Sequence, residues 1–199
     1  MTQEAALGGA MNQPLAVSAE IENLIGRFDE AYFHGIPALL NSPFGGYLAF
    51  VCMCSGIETL AGFRFPREKG KGKRFRQFVE VYFDNPHQLI SNDLWPTRNA
   101  IVHGFSPQPL ALCRGQPENH LRSLVFPIVV NGQHTTVTRM TVNAESLFDA
   151  FRKAAKSYFA ALVRDQSLQD RFEQRRQEEG GGSLYVYQAT SSGVSGPIT

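Results

Sequence analysis

Residues 45–63 constrain the fold of this chain more than any other stretch. They are apolar almost all the way round a helical wheel, interrupted by Ser55, Gly56, Glu58 and Thr59. A helix without a broad polar face needs neighbours on most sides, so this one is expected at the centre of a helical bundle. The interruptions make it too polar for a membrane span, and no membrane partner is expected. Glu58 is its one carboxylate. An unpaired buried charge is costly, so Glu58 is expected in a structural ion pair, on a solvent-facing edge, or orienting Arg98 from the helix that carries the candidate site.

The flanking segments read as partners for that helix. Ser18 precedes Glu20 and Glu22, an N-cap with acidic residues in the first turn. Ile21, Leu24, Ile25, Phe28 and Tyr32 follow at helical spacing, with an end expected near Gly35. Phe75, Phe78, Val79, Tyr82 and Phe83 mark a third helix, stopped by Asp84-Asn85-Pro86. A fourth runs from about Leu89 or Asp93 to His103, with Pro96 in its first turn and Gly104 supplying the left-handed residue at its end. Asn143 then caps a last helix with a broad apolar face from Leu147 to Leu162.

Between these helices the periodicity changes. Short β-branched runs near residues 110–113, 124–130 and 134–142, with Asn131-Gly132 between the last two, predict an antiparallel insertion built on a type I′ hairpin. The chain divides into an arm at residues 1–17, one domain at 18–165 with the hairpin at about 109–142, and a charged helical extension and tail at 166–199. Within that tail Leu184, Tyr185, Val186 and Tyr187 have strand character. The arm has no basic residue and no long apolar run, unlike a secretory signal. Cys52, Cys54 and Cys113 lack metal-type spacing and are expected as reduced core residues of a cytoplasmic protein.

The formal net charge of +1 excludes a general electrostatic attraction to nucleic acid, so any such case rests on local clustering. One cluster exists. Residues 64–76 hold Arg64, Arg67, Lys69, Lys71, Lys73, Arg74 and Arg76 against Glu68 alone, with Gly70 and Gly72 expected to make the middle a flexible loop. The segment is either a solvated loop or a phosphate-contacting one. It is not a phosphate-binding P-loop, because no strand is expected before it.

Chemistry-bearing residues meet at a usable spacing in one place, Arg98-Asn99-Ala100-Ile101-Val102-His103. This Arg-polar-x-x-x-His run resembles the signature of the HEPN superfamily, and the order of helices over residues 18–104 resembles it more weakly. The resemblance implies a mainly α, HEPN-like helical bundle, here carrying a small β insertion before the last long helix. It also implies a homodimer with the motif at its interface, and action on RNA, by cleavage or by binding alone. Under that reading Arg98 is the phosphate clamp, His103 the general acid or base and Asn99 the orienter, with Glu58 in support.

The chemistry is coherent without a metal or cofactor, and neither is expected. A ribose 2′-hydroxyl can attack its own phosphodiester if a group near neutral pKa moves the proton and a cation stabilises the charged transition state. Asn99 and His103 lie one turn apart on nearly the same helix face, whereas Arg98 and His103 are about 140° apart around it. A site shared between two chains removes that difficulty. Arg67, Lys69, Lys71, Lys73, Arg74 and Arg76 would extend such a site toward RNA or a nucleotide. The competing expectation is a non-catalytic interaction or regulatory domain, in which Arg98 pairs with Glu58 or Asp93 and His103 only favours the negative end of its helix.

Overall fold

A computed structural model describes residues 17–43, 45–115, 118 and 120–178, together with the backbone of 189–190 and 193–194. The strand expected at Leu184 to Tyr187, and all but the last residue of the arm, lie outside the described residues. The fold is mainly helical, with a small mixed sheet.

Helix α1 (Ala19–Phe28) starts where Ser18 Oγ accepts the Ile21 amide at 3.4 Å. The helical path does not stop at Gly35. It widens into a π-helical segment, Asp29–His34, and continues as α2 (Gly35–Asn41), which contains Pro37. Helix α3 (Gly46–Arg64) is central, packed against α2 and against the four later helices Lys71–Tyr82, Ser91–Gly104, Ala144–Leu162 and Gln166–Glu178. It is long and apolar enough to cross a membrane by composition, yet half of its most apolar window is buried within the bundle. It buries nine of its 19 residues, while Tyr47 and Leu48 stay exposed. An apolar wheel therefore means central here, but not enclosed.

Helix α4 (Lys71–Tyr82) begins inside the segment expected as a flexible loop, so Lys71, Gly72, Lys73 and Arg74 are helical. Gly72 fits because the Trp95 ring lies 2.8 Å from where a Cβ would stand. A 3-10 turn (His87–Ile90) leads into α5 (Ser91–Gly104). Pro96 thus falls in the second turn rather than the first, and the left-handed residue after the helix is Phe105, at φ 49°, rather than Gly104.

The insertion consists of β1 (Ala111–Cys113), β2 (Leu121–Val130) and β3 (Gln133–Asn143) in the order β1-β3-β2. β2 and β3 form the expected hairpin, turning through Asn131 and Gly132 at φ 51° and 78°. β1 pairs in parallel with the end of β3, so the sheet is mixed rather than antiparallel. Choice of strand partner is decided by where the bundle returns the chain, not by local pattern.

Asn143 Oδ1 accepts the Ser146 amide at 2.8 Å and starts α6 (Ala144–Leu162). The chain then turns at Asp165 into a separate α7 (Gln166–Glu178) instead of extending α6. Leu168 and Phe172 anchor α7, and Phe172 meets Phe63 with ring centroids 4.9 Å apart. The expected solvated extension is a packed helix with a charged outer face. The core joins Phe50, Met53, Ile57 and Leu60 of α3 to Phe75, Phe78, Leu94, Phe151 and Tyr158. A two-residue antiparallel pair, β4 (Ala189–Thr190) and β5 (Gly193–Val194), lies in the tail.

Candidate functional site

Packing of α3 against α4 and α5 brings Glu58, Lys71 and Arg98 together. Glu58 Oε1 lies 3.0 Å from Lys71 Nζ, and its Oε2 lies 3.6 Å from Arg98 Nη2. Arg98 Nη1 donates to Asn99 Oδ1 at 3.1 Å, and the guanidinium carbon sits 5.3 Å from the centre of the Trp95 ring. The partner of Arg98 is Glu58 and not Asp93. With side-chain exposures of 22% for Arg98 and 19% for Glu58, the pair is shielded but reachable from solvent.

This arrangement orients Arg98 firmly. The carboxylate, the amide and the indole face fix the guanidinium, and its Nε is buried with no hydrogen-bond partner. One carboxylate between two cations leaves the cluster with a net positive charge. An incoming phosphate is attracted to it, but competes with Glu58 for Arg98.

Asn99 spends its oxygen on Arg98 rather than on His103. His103 is exposed in the last turn of α5 and makes no side-chain hydrogen bond or ion pair with the described residues. Its neighbours Val102 and Phe105 are 42% and 87% exposed. The histidine therefore stands on an apolar ledge rather than inside the Arg98 cluster. The structure joins Glu58, Arg98 and Asn99, and leaves His103 apart from them.

The basic segment divides. Lys71 pairs with Glu58, Lys73 with Glu68 at 2.7 Å, and Arg76 with Asn92 and Glu80. Arg67, Lys69 and Arg74 make no side-chain ion pair within the described residues. Half of the expected phosphate-contacting residues are thus already neutralised by the helices around them.

Two groupings were not readable from sequence. Trp95, which supports Arg98, lies three residues before it on α5, a helical spacing that gives contact but no chemistry. His87 and His120, scattered singly in the chain, converge on Ser146: His87 Nε2 is 3.2 Å from its hydroxyl, and His120 Nδ1 also bonds it. No local signal announces a pairing across that much sequence. All three cysteines are free, Cys54 buried and Cys52 and Cys113 half-buried, and burial pushes the Cys52 and Cys54 thiols up.

Compared with known proteins, the chain matches no family model, no curated protein and no solved structure.

Proposed function

We propose that this chain is an HEPN-like RNA-binding protein that works as a homodimer and cleaves RNA without a metal. The observation that carries the reading is the placement of Arg98. It is an oriented, half-shielded guanidinium on a bundle helix, in a cluster of net positive charge, five residues before an exposed and unengaged histidine. Arg98 clamps the scissile phosphate and stabilises charge on its oxygens. His103 moves a proton at the 2′-hydroxyl or the leaving 5′-oxygen. Asn99 and Glu58 hold Arg98 in place.

The homodimer follows from the same helix. Arg98 and His103 point about 140° apart, so one chain presents them poorly to a single phosphate. Val102 and Phe105, which flank His103 in sequence, leave apolar surface exposed, and burying it against a second copy brings two motifs together.

A second reading has its own support. The Arg98–Glu58 pair neutralises the proposed clamp in the free protein, as expected of a non-catalytic helical interaction or regulatory domain. Cleavage of single-stranded RNA in the presence of a chelator separates the two. The purified protein is expected to cut, and Arg98→Ala and His103→Ala each to slow cutting by at least about a hundredfold. An inactive parent protein, or variants that cut as fast as the parent, leaves only the second reading.

A further inference from the structure

Beyond the Arg98 cluster, three arginines share a cleft of about 450 Å³ between the end of α3, the turn that follows it and α7. Arg64, Phe65, Arg67 and Glu68 form one wall, and Asp170 and Arg171 the other. Three guanidinium groups in one cleft repel one another unless counter-charges answer them. Of the two carboxylates present, Glu68 is paired with Lys73 at 2.7 Å, while Asp170 accepts the neutral Gln166 amide at 2.9 Å and keeps its charge, so three guanidinium groups face one carboxylate not paired with a cation. The Lys73 bond holds the Glu68 carboxyl below its usual range.

The arginines are not equally free. Arg64 is pinned, its Nε donating to the Tyr82 hydroxyl at 3.1 Å and its guanidinium carbon 5.0 Å from the Phe65 ring centre. That leaves its two terminal nitrogens for a ligand. Arg67 and Arg171 make no ion pair and no side-chain hydrogen bond with the described residues. One oriented and two uncommitted guanidinium groups around a concave space form a receptor for a phosphate.

The position of the cleft is informative. Arg64 follows Glu58 by six residues on α3, about 9 Å along the helix axis and about 120° around it. The turn that lines the cleft leads directly into α4, whose first residue, Lys71, is paired with Glu58. A short length of extended single strand covers such a gap.

We infer that this cleft is a second phosphate subsite, taking a phosphate of the same RNA strand whose scissile phosphate lies at Arg98. The inference rests on the RNA reading of the Arg98 site. Arg171 and Arg67 hold the phosphate from opposite walls, and Arg64 supplies a fixed third contact.

Two probes test it with the full chain. Labelled oligoribonucleotides from two to eight residues are titrated by fluorescence anisotropy, and inorganic pyrophosphate by calorimetry. Arg171→Gln and Arg67→Gln are made on partly or fully exposed positions, and circular dichroism checks that both fold. The octanucleotide is expected to lose about tenfold in affinity in each variant, while the dinucleotide, too short to reach the cleft, loses little. Pyrophosphate binding that Arg171→Gln abolishes, with RNA bound by neither form, upholds the phosphate subsite and rejects the RNA reading. RNA binding weakened by Arg98→Ala but indifferent to both cleft variants overturns the subsite and keeps the RNA reading. A parent protein that binds neither probe overturns both.

Discussion

His87 shows at a single residue how the fold changes what a side chain can do. It is buried, and burial together with the neighbouring His120 holds its imidazole down to about 4. In the unfolded chain the same group titrates near 6.5. Between about pH 6.5 and 4 the unfolded state therefore takes up a proton that the folded state refuses, and stability falls as the pH falls. The stabilisation is complete above the unfolded value, and about 3 kcal/mol of it is lost once the pH is below both. Denaturant titrations at pH 7 and 4.5 are expected to show most of that loss in the parent protein. His87→Gln retains a hydrogen-bonding side chain toward Ser146 but does not titrate, so its loss should be smaller by about 2 kcal/mol. Equal losses in the two proteins would mean that His87 is not the group responsible. In the sequence His87 is one of several isolated histidines, because the shift arises from burial in the folded chain and from His120, far along the sequence.

At the scale of elements, legibility followed how local the deciding interaction is. The caps at Ser18 and Asn143 and the turn at Asn131-Gly132 are short-range chemistry, and each is where its residues place it. The start of α4 differs because Trp95 packs over Gly72, a tertiary contact, and the path through Gly35 differs because a π-helical segment carries the chain past His34. Helix α7 is the charged helix its composition predicts, but it is separate from α6 and packed, because Leu168 and Phe172 anchor it although charged residues outnumber them. Of the site, Arg98, Asn99 and Glu58 were legible as a group, while Trp95 and the Arg171 side of the cleft belong to packing. Gly56 tests the central packing directly. A Cβ there would stand 2.6 Å from Phe151 Cζ and 3.2 Å from Phe28 Cζ, whereas one at Gly26 in α1 meets nothing within 4 Å. Gly56→Ala is expected to destabilise by about 1–2 kcal/mol, overpacking outweighing the gain in helix propensity. Gly26→Ala should stabilise by about 0.5–1 kcal/mol. Denaturant midpoints read both, and a stabilised Gly56→Ala protein would contradict the close contact of α3, α6 and α1.

At the scale of the whole molecule the proposed chemistry depends on a second copy, because one chain separates its two principal groups. Arg98 is locked into a cluster by α3, and His103 stands on an apolar ledge at the far end of the same helix. If the working site takes its arginine from one protomer and its histidine from the other, two inactive variants should repair each other. A dimer of one Arg98→Ala chain and one His103→Ala chain has one site with both residues intact and one with neither. Random exchange makes about half of all dimers mixed, so the mixture should recover about a quarter of the parent rate. A site built within one chain gives no recovery, since every mixed dimer then lacks one residue at each site. Phe105→Ser supplies the companion measurement. Removing the most exposed aromatic beside His103 should shift the protein toward monomer in light scattering and remove cleavage, although Arg98, Asn99 and His103 are all unchanged. A Phe105→Ser protein that is monomeric and fully active would place the reaction within one chain.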